Sequence, residues 1–109
     1  FMVVSGDDAL TIPIIAAGGS GVISVLANAY PAECSELVNN ALKSNFKAAR
    51  DIHFSFMEAI DLLFADGNPS GIKAFMSVLN LCKNNLRLPL VPVNKNVFTG
   101  IRKFIEDHR

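Results

Sequence analysis

The chain has 109 residues and half of them are apolar, which is enough for a packed core and too many for a disordered chain. Ten basic residues balance ten acidic ones and no run of lysine and arginine is present, so nucleic-acid binding is not expected. No apolar run approaches the roughly 20 residues of a membrane span and no signal peptide is visible, so the expected location is cytoplasmic.

The N-terminal quarter of the sequence predicts a strand, a helix and a second strand. Residues 1–5 and 22–25 are short apolar runs, typical of parallel strands that are buried on both faces. Residues 9–17 lie between them as a short helix, and Asp7 or Asp8 can cap its start. Two strands joined through a helix by short connections predict a right-handed parallel crossover.

The remainder of the sequence predicts helices. Pro31 suits the first position of one helix, and Ser44 or Asn45 is the predicted cap of a longer one. The extended connector at 86–93 carries two prolines, which argues against a central strand. The predicted helices span residues 31–43, 46–64, 70–81 and 95–107.

Two parallel strands do not make a stable sheet by themselves, because parallel sheets need several neighbouring strands and cover on both faces. A strand–helix–strand unit followed only by helices is typical of the end of a larger α/β fold. We therefore expect residues 1–30 to be the end of a barrel or open sheet. Residues 31–109 would supply its last helix and a C-terminal helical extension. Made alone, the chain is expected to aggregate, to swap segments between copies or to stay partly molten.

Three segments resemble those of dihydrodipicolinate synthases, in the same order and at the same spacing. They are VVSGDDALTIPIIAAGGSGVISV at residues 3–25, LFADGNPSGIKAF at 63–75 and LRLPLVPV at 86–93. The resemblance implies the last two strands of a TIM (β/α)8 barrel, followed by the C-terminal helices of that family. Barrel enzymes place their chemistry at the carboxyl ends of the strands.

The resemblance also implies a reaction. The family condenses pyruvate with aspartate semialdehyde in lysine and diaminopimelate biosynthesis, through a Schiff base between a lysine and pyruvate. The family's lysine, its tyrosine–threonine proton relay and its substrate-gripping arginine match no position here. The chain is therefore expected to be an inactive part of a lyase, without a cofactor, in a protein that forms homo-oligomers such as a homotetramer.

Five residues match substrate-contacting positions of the family. By resemblance, the backbone carbonyl of Ile23 faces the pyruvate and the backbone of Gly6 borders the aldehyde substrate. Asn68 belongs to an Asn-Pro motif near the mouth of the site, and Asp7 and Asp8 match an aspartate pair at its rim. From the residues alone, adjacent aspartates before a helix are more typical of capping than of catalysis.

Other reactive side chains favour structural roles. Lys73 follows a helix start with nothing to indicate a lowered pKa, and His53 and His108 have no metal ligands at suitable spacing, so no metal site is predicted. Cys34 and Cys82 predict free thiols and not a disulfide framework. The glycine-rich segment at 18–21 precedes a strand, which favours a turn over a phosphate site.

Two alternatives to the synthase remain open. One is another pyruvate-dependent aldolase of the same superfamily, because the residues that choose the aldehyde match no position here. The other is a stand-alone helical interaction module, in which the exposed edge of the strand–helix–strand unit pairs with a second chain. The barrel enzyme and the interaction module differ in what covers residues 1–5 and 22–25. Other barrel strands would cover them in the enzyme, and a second copy of the chain would cover them in the module.

Overall fold

The computed structural model describes residues 1–108, and helices dominate this part of the chain. A 3-10 turn at Asp8–Leu10 leads into the first α-helix, and a second 3-10 turn lies at Leu26–Asn28. The α-helices are α1 (Thr11–Ala16), α2 (Pro31–Leu42), α3 (Phe46–Ser55), α4 (Met57–Ala65), α5 (Ser70–Val78) and α6 (Lys95–Asp107). None of the helices in residues 1–108 combines the length and the apolar character needed to cross a membrane.

The chain divides into two compact units, residues 1–57 and the residues from 58 onward. In the first unit α1, α2 and α3 pack around a small core centred on Ile15, Ala41 and Ala49. In the second unit Phe75 and Phe104 are buried edge to face, with ring centroids 6.0 Å apart. Burial of two such side chains removes several hundred Å² of apolar surface from water, so these rings are a major part of the second core.

The predicted strands are reduced, within residues 1–108, to one parallel bridge between Ser5 and Val22. Three backbone hydrogen bonds of 2.8 Å join the two segments: Ser20 to Val3, Ser5 to Gly21, and Ile23 to Ser5, donor first. This spacing is that of a parallel pair. Within residues 1–108, no other backbone segment is bridged to either of the two.

The long helix predicted at 46–64 was wrong as a single element. It is interrupted at Phe56, whose backbone leaves the helical region, and α3 and α4 lie on either side of the break. Phe56 is buried against the Tyr30 ring, with ring centroids 4.8 Å apart. Apolar residues at steps of three and four continue across the break, so the periodicity alone does not detect it.

Several helix ends confirm the expected signals and others do not. Gly18 has a φ of +108° directly after α1, as predicted for a left-handed position that glycine adopts without strain. Asn94, for which no cap was predicted, caps α6 by accepting a hydrogen bond from the backbone of Val97 at 2.9 Å. The predicted cap at Ser44 or Asn45 was wrong, because no side chain caps α3. The Asn45 amide instead donates to Asn40.

Candidate functional site

The loops that follow the two predicted strands lie side by side. The parallel bridge brings Ser5 and Val22 together, so Gly6 and Ile23 continue at the same edge. Ser5 is fully buried, and its hydroxyl donates to the Asp7 carbonyl at 2.7 Å while accepting from the Asp7 backbone N–H at 3.1 Å. This serine turn fixes the path of the chain through Gly6 to Asp7.

The two adjacent aspartates have different environments. The Asp7 side chain is exposed and accepts from the backbone of Ala9 at 2.8 Å, so it caps the 3-10 turn, as predicted. Asp8 is buried, with 9% of its surface exposed. One Asp8 carboxylate oxygen accepts from the Ser24 hydroxyl. The other accepts from the backbone of Val25 at 3.0 Å and of Leu26 at 3.1 Å.

Asp8 is therefore a clamp between the two loops. Its carboxylate satisfies backbone donors at the start of the 3-10 turn Leu26–Asn28, which lies 18 residues further along the chain from Asp8. A buried carboxylate that accepts several hydrogen bonds repays the cost of its own desolvation. Asp7 is thus a local cap, and Asp8 is a long-range clamp.

Ser24 is a site residue that the sequence analysis missed. Its hydroxyl donates to Asp8 and accepts from the backbone of Ala27 at 2.9 Å. Its oxygen also lies 4.0 Å from the sulfur of Cys34. The signal in the sequence was a small polar residue inside the apolar run at 22–25.

Cys34 lies beside this cluster as a free, half-buried thiol. Burial, together with the negative charges of Asp8 and Glu33, raises the pKa of the Cys34 thiol to about 11, although the hydrogen bond with Ser24 opposes the shift. Cys34 is therefore protonated at neutral pH, and the nucleophilic thiolate is scarce. This agrees with the structural role predicted for it.

Cys34 is expected to react slowly with iodoacetamide at pH 8 in the native protein and much faster in denaturant. The pKa of about 11 replaces an ordinary value of 9.0, so unfolding increases the thiolate fraction by roughly 100-fold. Because the folded pKa is raised, its contribution to stability is full below pH 9.0 and is lost as the pH rises through about 11. Peptide mass spectrometry after timed alkylation measures the ratio of the Cys34 alkylation rates in the denatured and native protein. Equal rates in both states would contradict the burial of Cys34.

Ile23 and Gly6 both face open space. The Ile23 side chain is 74% exposed and its backbone N–H donates to the Ser5 carbonyl. No hydrogen bond reaches the Ile23 carbonyl from residues 1–108. A Cβ atom built on Gly6 meets nothing within 4 Å, and the backbone there is not in the left-handed region. Neither packing nor conformation within the chain therefore requires glycine at this position.

Asn68 lies in the second unit, apart from the other four predicted residues in the sequence. It is exposed and precedes Pro69 through a cis peptide bond. The structure thus brings Gly6, Asp8 and Ile23 to one edge of the first unit, whereas Asn68 belongs to the loop between α4 and α5.

The remaining reactive side chains lie outside this edge. His53 lies on α3 with intermediate exposure, and burial lowers its pKa below the ordinary value. His108 stacks on the Phe104 ring at 3.9 Å between ring centroids. Lys73 is half-buried near the start of α5.

Comparison with known proteins bears directly on this arrangement. Residues 1–108 match the dihydrodipicolinate synthetase family. The chain belongs to this family. It is 47% identical over 107 residues to a 4-hydroxy-tetrahydrodipicolinate synthase of Phocaeicola vulgatus, covering 98% of this chain and 36% of that protein. It is 46% identical over 105 residues to the same enzyme of Parabacteroides distasonis, covering 96% of this chain and 35% of that protein.

The fold agrees with the sequence comparison. A crystal structure of the dihydrodipicolinate synthase of Aquifex aeolicus superposes with a TM-score of 0.95 at 37% identity, over 99% of this chain and 37% of that protein. The chain thus spans about a third of the length of the dihydrodipicolinate synthetase family members that it matches. The family resemblance stated from residues 3–25, 63–75 and 86–93 is confirmed.

Proposed function

We propose that this chain is the C-terminal third of a lyase that condenses pyruvate with aspartate semialdehyde through a lysine Schiff base. The observation that carries the proposal is the family match over residues 1–108, together with a superposition that covers about a third of a synthase. The condensing lysine and its proton relay would lie in the other two thirds. Residues 1–109 would then contribute no catalytic residue and would hold part of the substrate site.

The finer part of the fold proposal is that residues 1–5 and 22–25 are the last two strands of the barrel. Support comes from the parallel bridge and from apolar side chains that remain in solvent. Met2 is 82% exposed, Val3 50% and Ile23 74%. Side chains of this kind are usually covered in a complete fold, and further barrel strands and the helices around them would cover them. Residues 1–30 would close the barrel, and residues 31–109 would form the helical extension.

The proposed substrate contacts follow from the geometry of the two loops. The Ile23 carbonyl has an open acceptor position, and Gly6 has no steric need to be glycine within the chain. Close approach of a substrate to the Gly6 backbone would explain the glycine. Asp8 would hold these two loops in register, Asp7 would lie at the rim, and Asn68 would lie near the mouth of the site.

A chimera tests the proposal. The C-terminal third of the Phocaeicola vulgatus synthase would be replaced by residues 1–109, which are 47% identical to it. We expect the chimera to form a borohydride-trapped pyruvate adduct and to keep condensation activity within about tenfold of the parent, because conservative exchange away from the reacting atoms costs about 1.4 kcal/mol or less. A coupled turnover assay measures the condensation activity, and the intact mass of the chimera measures the trapped pyruvate adduct.

The matched control is the parent synthase truncated before the exchanged segment, for which no activity is expected. A chimera that folds and traps pyruvate but does not condense it with aspartate semialdehyde would contradict the substrate contacts proposed for residues 1–109. A folded chimera that does not trap pyruvate would contradict the proposal. An adduct on the isolated 11.8 kDa chain would mean that one of its own lysines reacts.

We further propose that the complete protein is a cytoplasmic homo-oligomer that needs no cofactor. The rival reading, a stand-alone dimerisation module, requires a second copy to pair with the segment at residues 1–5. Sedimentation of the isolated chain distinguishes the two: a well-folded dimer would favour the module, and an aggregating or molten chain would favour a part of a barrel.

A further inference from the structure

A surface groove of about 550 Å³ lies in the second unit. It is lined by Pro69, Lys73, Asn85, Leu86, Arg87 and Leu90. A volume of this size falls within the range of small-molecule sites. The groove combines two cations, one amide and three apolar walls, which is the composition of a site for a small anion with a carbon chain.

The cations come from two different segments. Lys73 is near the start of α5, and its backbone N–H donates to the Pro69 carbonyl at 3.0 Å. Arg87 begins a turn in which the Leu90 N–H donates to the Arg87 carbonyl at 3.1 Å, and both residues line the groove. The two positive charges therefore come from segments that lie 14 residues apart in the sequence.

No carboxylate is among the groove residues in the part of the chain that the structure describes. Residues 67–105 contain six lysines and arginines and no aspartate or glutamate, although the whole chain has a net charge of zero. Within residues 1–108 the recorded ion pair joins Arg102 to Glu106, and neither Lys73 nor Arg87 forms one. A basic groove without counter-charges attracts anions, and the field is strongest where low-dielectric walls surround it.

We propose that this groove binds a short-chain dicarboxylate. The Arg87 guanidinium presents a planar fork that pairs with one carboxylate, and the Lys73 ammonium pairs with the second as a point charge. Pro69, Leu86 and Leu90 contact the methylene groups between them, and the Asn85 amide supplies a neutral polar contact. This proposal does not depend on the reaction proposed above.

Isothermal titration calorimetry of the complete protein with succinate tests the proposal. Saturable binding is expected with succinate and not with succinamide, the neutral molecule of the same shape. Arg87→Gln and Lys73→Gln are each expected to weaken succinate binding by about tenfold, because each removes one charge-assisted contact. Lys83→Gln is the matched control, since Lys83 belongs to the same acid-free segment and does not line the groove.

Four outcomes would overturn the proposal. The first is that succinate gives no saturable binding signal, and the second is that Lys83→Gln weakens succinate binding as much as the groove substitutions do. The third is that succinate affinity is unchanged by both groove substitutions, and the fourth is that equimolar sulfate displaces succinate. The second would mean a diffuse positive field, the third a site elsewhere and the fourth a site for any dianion. Circular dichroism of each variant establishes that it is folded before its affinity is compared.

Discussion

Replacing Gly71 by alanine is expected to lower the free energy of unfolding by about 3 kcal/mol. A Cβ at this position would lie 2.0 Å from the Leu63 carbonyl oxygen and 2.6 Å from the Leu63 carbonyl carbon. Both atoms belong to the backbone of α4, so no side-chain rotation relieves the overlap. The helix-forming advantage of alanine over glycine, about 1 kcal/mol, is too small to offset the displacement.

Gly100→Ala is the matched control, because Gly100 also lies in a helix. Its Cβ would approach the Leu62 Cδ2 atom at 3.0 Å, and that flexible side-chain end can move. We expect this variant to stay within about 1 kcal/mol of the parent. Urea unfolding of both variants in the chimera measures the difference. Equal stability would show that α4 and α5 do not approach each other this closely.

Asp8→Ala is expected to cost about 3 kcal/mol and to impair catalysis in the chimera. The substitution leaves the Ser24 hydroxyl and the backbone N–H groups of Val25 and Leu26 without their acceptor. Unpaired donors that are partly or fully buried each cost about 1 to 3 kcal/mol, and water restores some of this where the loop is accessible. The loop that carries Ile23 would also lose its anchor.

Asp7→Ala is the neighbouring control. Asp7 is exposed and caps a single 3-10 turn, so its loss is expected to cost about 1 kcal/mol. Chemical denaturation measures the loss of stability in each variant. Turnover of the chimera with pyruvate and aspartate semialdehyde measures the loss of catalysis. If Asp7→Ala proved the more damaging substitution, the clamp would not be the principal link between the loops.

The sequence predicts the helical part of the fold because its signals are local. Pro31 begins α2, Gly18 follows α1 in the left-handed region and Asn94 caps α6, and each depends on only a few neighbouring residues. At the break, Phe56 packs against Tyr30, which lies 26 residues earlier in the chain, and no local pattern contains that contact. Tertiary packing overrides the continuous apolar periodicity there.

The family resemblance, and not the apolar pattern, implied substrate contacts at Gly6 and Ile23. The structure places both residues at one edge, next to the bridge between Ser5 and Val22. The sequence does not predict that Asp7 caps a turn while Asp8 joins two loops. Two adjacent carboxylates have the same chemistry, and their roles depend on which hydrogen-bond donors the fold brings to each of them. Ser24 was missed for the same reason: its partners are Asp8 and Ala27, on two sides of the run that contains it.

The carboxylate of Asp8 also constrains how this protein can evolve. Because one side chain holds Ser24, Val25 and Leu26, an insertion or deletion between Ser5 and Asp8, or between Val22 and Leu26, would pull the clamp out of reach. The lengths of both of these segments are therefore constrained by the same carboxylate. Between these anchor points we expect exchanges of single side chains, and longer inserted loops only beyond them.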